Sequence, residues 1–142
     1  MSAYIADVNA ALIATLAGDA ALTTILGGPH VYLNLAPQGL TKFVLLRLDN
    51  HRDERMFGGT AFEVAEYVIK AVVQATELSA VIAAARRIQT LLDGQDLTLA
   101  EYGVMAMRRV DHIEFGEVDD VNRAWQHGGG VYEVWVSPVA TP

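Results

Sequence analysis

The chain contains no cysteine. Disulfides and thiolate metal ligands are excluded, and the sequence carries no signature of a redox compartment. Serine is scarce too: Ser2, Ser79 and Ser137 are all there are, and none sits in the G-x-S-x-G turn that presents a hydrolase nucleophile. No G-x-G-x-x-G, Walker-type phosphate loop, H-E-x-x-H or EF-hand loop occurs. Nucleotide, zinc and calcium chemistry thus lose their usual supports, and neither a cofactor nor a metal is expected. The first residues, MSAYIADVNA, include Asp7 but no Lys or Arg, so they do not read as a signal peptide. The longest apolar stretch, Phe62–Ala75, is broken by Glu63, Glu66 and Lys70 and falls short of the ~18 residues of a membrane span. A soluble, unsecreted protein with no membrane partner is expected. No repeat with a period of 20–50 residues and no low-complexity tract is found.

What is present is apolar and acidic. Length 142 suggests one domain spanning residues 1–142, and the 52% apolar content is ample for its core. Some of that surplus can cover a partner. The formal charge of −7 opposes tight wrapping of nucleic acid, although it permits lining a passage through which DNA slides.

Asp19–Gly39 is the most informative stretch. Asp19 is a suitable helix N-cap, and Leu22, Ile25 and Leu26 give a short apolar stripe. Gly27-Gly28-Pro29 stops that helix, His30–Leu35 suits a strand, and Pro37-Gln38-Gly39 suits a turn. Upstream, a helix starting at Ser2 or Asp7 places Val8, Ala11, Leu12 and Leu16 on one face. Downstream, Phe43–Asp49 reads as a strand and Asn50–Gly59 as a charged loop. Thr60–Ala75 reads as a long strand, with Ala65, Tyr67, Ile69, Ala71 and Val73 toward the core. The stripe Leu78, Val81, Ile82, Ala85, Ile88 and Leu92 predicts a helix over Glu77–Leu92. Val104–Phe115 and Val131–Val139 are closing strands joined by a polar segment, Glu117–Gly130. The expected fold is α+β, a mainly antiparallel mixed sheet of four to five strands packed on two to three helices.

Few residues invite a chemical role. His127-Gly128-Gly129-Gly130 matches an oxyanion-hole signature but lacks a nucleophile, and a hairpin tip using positive φ explains the glycines more simply. His112 and Glu114, two apart on one strand, share a face as metal ligands could. Alternating polar residues on a wet face account for them equally well. Arg52-Asp53-Glu54-Arg55, followed by Met56 and Phe57 in a Gly-flanked loop, resembles a contact surface, with a solvated loop as the bland alternative. Trp125 is either packed under a hairpin or a contact residue. Between Val110 and Glu133 six acids face one base, Arg123. In a ring, Glu117, Asp119 and Asp120 could line a lumen.

The helix, Gly-Gly stop, Val31-Tyr32 strand and Pro37-Gln38-Gly39 turn resemble the tail-completion (tail-terminator) proteins of long-tailed bacteriophages and prophages. Ala11–Leu16, the strand Glu63–Gln74, the helix Leu78–Leu92 running into Leu97 and Leu99, and Asn122–Val136 extend the likeness over roughly residues 8–138. The chain departs from the family at Lys42-Phe43, where Pro-Tyr often follows the turn, and at Val72-Val73-Gln74, where the strand commonly ends near a Trp. The resemblance implies a non-enzymatic ring, a homo-hexamer that caps the tail tube at the head-proximal end of the virion. Its implied partners are the tail tube protein and head–tail connector proteins, with DNA passing through the lumen without specific binding and assembly in the host cytoplasm. A stopper or connector protein is a near alternative. A small binding module or enzyme using His112 and Glu114 on the sheet face is a distant one.

Overall fold

The structure, a computed structural model, describes residues 4–56, 59–99 and 103–137. Helix α1 (Tyr4–Ala17) and helix α2 (Ala20–Leu26) lead into a short strand β1 (Val31–Leu33). A long hairpin follows, β2 (Lys42–Met56) and β3 (Gly59–Gln74). Helix α3 (Ser79–Leu92) then connects to a second long pair, β4 (Gly103–Val118) and β5 (Ala124–Ser137).

Local chemistry accounts for the joints. Asp19 caps α2 by accepting the Leu22 N–H at 2.9 Å. Gly27 ends that helix in the left-handed region, φ 76°, where a Cβ would be strained. Gln38 and Gly39 form the expected turn, Gly39 again at positive φ.

The five strands make one curled sheet in the order β1-β2-β3-β5-β4, with β1 parallel to β2 and every other pairing antiparallel. The core lies between this sheet and the helices. It joins Val8, Leu12 and Leu16 of α1, Leu22 and Leu26 of α2 and Ala84, Ile88 and Leu92 of α3 to Ala65, Tyr67, Ile69 and Ala71 of β3 and Tyr132, Val134 and Val136 of β5. The odd positions of β3 face the helices, as their period predicts; Val73 is buried as well. The buried Tyr67 hydroxyl donates to Asn9 of α1, and burial pushes its pKa up.

Three sequence expectations are corrected. Asn50–Gly59 is not a loop: its residues through Met56 continue β2 and pair with β3 as far as Met56↔Gly59. A charged stretch reads as coil from periodicity, but its backbone pairs with β3. Glu117–Gly130 is not a connector, because only Asp119–Arg123 separate β4 from β5. The α3 stripe is rotated slightly: Val81, Ala84, Ile88 and Leu92 are buried, whereas Leu78, Ile82 and Ala85 are half-buried.

Candidate assembly surfaces

Opposite residues of antiparallel strands share a face, so the register defines the sheet surface turned away from the helices. One row across it reads Arg47, Val68, Val131, Asp111; another reads Arg52, Val64, Trp135, Ala106. In the row between them, Asn50, Glu66, Glu133, Arg108, the Glu133 side chain is buried, and carboxylate–cation contacts reach it from both sides. Arg52 of β2 donates to it at 3.3 Å, Arg108 of β4 lies at 3.8 Å, and the Trp135 indole N–H donates at 3.3 Å. Arg52, expected at an interface, is thereby also a cross-sheet brace. Arg55 and Met56 belong to the end of β2, and Phe57 lies outside the described residues.

Trp125 sits half-buried on β5, tilted against Phe43 with ring centroids 6.1 Å apart and under the Arg123 guanidinium. It packs under the β4–β5 turn, and it also lines an open groove of about 560 Å³ with Phe43, Leu45 and the 34–41 loop. Leu35 on that loop is 84% exposed.

The three acids proposed for a lumen have different surroundings. Asp119 accepts from the Trp125 indole at 2.8 Å, from the Val121 and Arg123 amides and from Arg123 Nε at 2.7 Å. These donors, the indole foremost, hold its carboxyl down at about 2. Glu117 lies 2.6 Å from Nε2 of the buried His127. Asp120 is exposed.

The glycine run is not a flexible tip. Gly128, Gly129 and Gly130 lie buried in the middle of β5, and none has positive φ. Their service is close approach: a Cβ on Gly128 would stand 2.7 Å from Val81 of α3, one on Gly129 2.2 Å from the Ile69 carbonyl oxygen, and one on Gly130 2.6 Å from Arg109. His127 faces the opposite side, stacked on Phe115 at 4.2 Å, and burial lowers its pKa. His112 and Glu114 do come together, 2.9 Å apart and both well exposed, in a shallow groove with Arg86, Gln89 and Arg109. Among the described residues no group of three or more His, Cys, Asp or Glu could hold a metal ion, and no single helix is long and apolar enough to cross a membrane.

Sequence reasoning missed one surface. Of the nine residues Val110–Val118 all but Ile113 are exposed. Val110, Phe115, Val118 and, in the following turn, Val121 are large apolar residues open to solvent. The acids among them concealed them: Phe115 lies on the same strand face as Asp111 and Glu117, and Val118 on that of Glu114, so neither face reads as apolar.

Residues 10–137 match the family described as tail completion protein gp17. A solved structure titled virion of native gene transfer agent (GTA) particle contains a chain with the same fold, at a TM-score of 0.79 and 22% identity, covering 96% of this chain and 99% of that one. No curated protein matches in sequence at a significant level. Element order, sheet topology and the family match over nearly the whole sequence agree: the chain belongs to the tail completion protein gp17 family.

Proposed function

We propose that this protein performs tail completion as a hexameric ring at the head-proximal end of the tail tube. It stops tube growth and docks the tail to the head through the tail tube protein and head–tail connector proteins. Family membership makes the chain a structural component of a phage-type virion; that match, running from residue 10 to 137, is the observation that carries the reading. The role is scaffolding and not catalysis, and the whole chain acts as one domain assembled in the host cytoplasm. DNA passes the lumen without specific binding, in keeping with a net charge of −7. Repeated around an axis, Glu117, Asp119 and Asp120 would form a negative collar that keeps phosphate from adhering to the wall, within a screening distance of about 8–10 Å.

The end of the β2–β3 hairpin, with Arg52, Arg55, Met56 and Phe57, is assigned to contacts with a neighbouring subunit or tail protein, as is Trp125 beside its groove. Negative-stain imaging with mass measurement in solution tests the ring: six-fold particles are expected, and a monomer at every concentration, with none on tails, would reject it. Replacing Met56 and Phe57 together by serine should leave the subunit folded and reduce assembly. Full ring formation and tail joining by that variant would remove the hairpin end from the interface.

A further inference from the structure

The glycine run of β5 shapes a groove on the helix side of the sheet. Gly128 admits α3, since a Cβ there would stand 2.7 Å from Val81 and 3.6 Å from Ala85. Gly130 leaves room for the stem of Arg109, since a Cβ there would stand 2.6 Å from Arg109 Cδ. The groove, about 240 Å³, is lined by Ile82 and Arg86 of α3, by Gly129, and by Arg109, His112 and Glu114 of β4. Arg109 Nη1 donates to His112 Nδ1 at 3.4 Å, which leaves the Nε2–H to donate to Glu114, 2.9 Å away. An imidazole thus stands between the guanidinium and the carboxylate. Neither Arg86 nor Arg109 has a carboxylate within ion-pair distance among the described residues, whereas Arg87, Arg108 and Arg123 each do.

We infer that this groove receives an aspartate or glutamate side chain from the next copy of this chain. The inference rests on the ring reading above and gives that ring one contact. Size selects a side chain, because the groove falls below the ~300 Å³ at which small-molecule pockets begin. Charge selects a carboxylate: two guanidinium groups outweigh the single Glu114, and a guanidinium matches a carboxylate with two parallel bonds. A nucleic-acid backbone is disfavoured by Glu114 and by the exposed Asp111 beside it, in a chain of net charge −7. That same charge points to a second copy. Copies carrying 17 acids against 10 bases repel one another, so a contact between them needs a cationic patch on one side. The groove supplies the patch, and the acid surplus of the neighbour supplies the occupant. A cationic groove on an acidic surface joins unlike patches, the type of contact that cyclic rings repeat.

Arg86→Lys keeps the charge and offers an amine that a carbodiimide joins to a touching carboxylate, with loss of water. Under ring-forming conditions this variant should ladder up to the full ring. Peptide mass spectrometry on mixed isotope-labelled and unlabelled chains should find position 86 joined to an acid of another copy. Wild-type protein sets the background from Lys42 and Lys70. In parallel, Arg86→Glu, at an exposed position of α3, should raise the concentration needed for ring formation by about tenfold or more. It should keep the melting temperature of the free subunit. Rings that form normally while position 86 joins only Glu114 of its own chain, or nothing, would overturn the contact and leave the ring standing. Rings from a folded Arg86→Glu at the wild-type concentration would do the same. Coupling to another virion protein but never to a second copy would overturn the second copy as occupant. A wild-type chain that forms no ring would sink both readings, and should Arg86→Glu fail to fold, the coupling result decides.

Discussion

Arg87 of α3 holds Asp19 at the start of α2 with two parallel bonds, Nε to Oδ2 at 2.8 Å and Nη2 to Oδ1 at 2.7 Å, while the same carboxylate caps its own helix. One side chain therefore terminates a helix and docks it on another. The guanidinium first, helped by the Leu22 N–H, holds the carboxyl down at about 2 against an ordinary 3.8. Between these values the unfolded chain binds a proton that the folded chain refuses, so stability rises with pH there. The contribution is complete above pH 3.8 and is lost as pH falls through about 2. Asp19→Ala should cost about 1 kcal/mol from the cap alone at neutral pH and flatten the acid limb of the stability profile. Urea titrations at several pH values check both.

Gly129→Ala should destabilise the subunit by about 2 kcal/mol or more, because the added carbon meets backbone that cannot yield. Gly103→Ala is the control. Its Cβ would find its nearest neighbour at 3.9 Å, and the change should stay within about 0.5 kcal/mol. Equal effects in thermal melts would contradict the crowding account.

The rotation of α3 is measurable. Leu92→Ala, at a fully buried site, should cost ~2–5 kcal/mol. Ile82→Ala, half-buried beside the His112 groove, should cost clearly less. An inverted ranking in chemical denaturation would place the wrong face against the sheet.

His127 gives a second pH effect of the same sign by a different cause. Burial disfavours its imidazolium and keeps its pKa below the ordinary 6.5, with Lys70 adding repulsion and Glu117 opposing both. As pH drops below 6.5 the unfolded chain takes up a proton first, so stability declines. A His127→Gln variant should show a shallower decline between neutral and mildly acidic pH. Identical slopes would mean that this imidazole does not contribute.

Elements governed by local chemistry were legible in the sequence. The Asp19 cap, the Gly27 stop and the alternation along β3 each express backbone or packing rules within a few residues and are found where they were expected, and α3 itself is found with its stripe turned slightly. Elements governed by distant neighbours were not. Nothing near Gly129 reveals that Ile69 will press against it, so a glycine run read as a turn. Charges in Asn50–Met56 read as coil because the strand they belong to is held from one side only. The role of Asp119 was partly visible, since an aspartate heading a short polar stretch commonly bonds the backbone two residues on, as it does to Val121.

The two irregularities of the β2–β3 hairpin fall on opposite strands. Asp49 is the extra residue on β2, and Ala61 is the extra one on β3. The slip introduced by the first is undone by the second, so the hairpin regains its original phase before its tip. Its length is consequently an adjustable dimension, decoupled from the domain beneath. Removing two residues from each strand between the bulges would shorten the reach by about 7 Å with every side chain on its former face; removing one would exchange the faces.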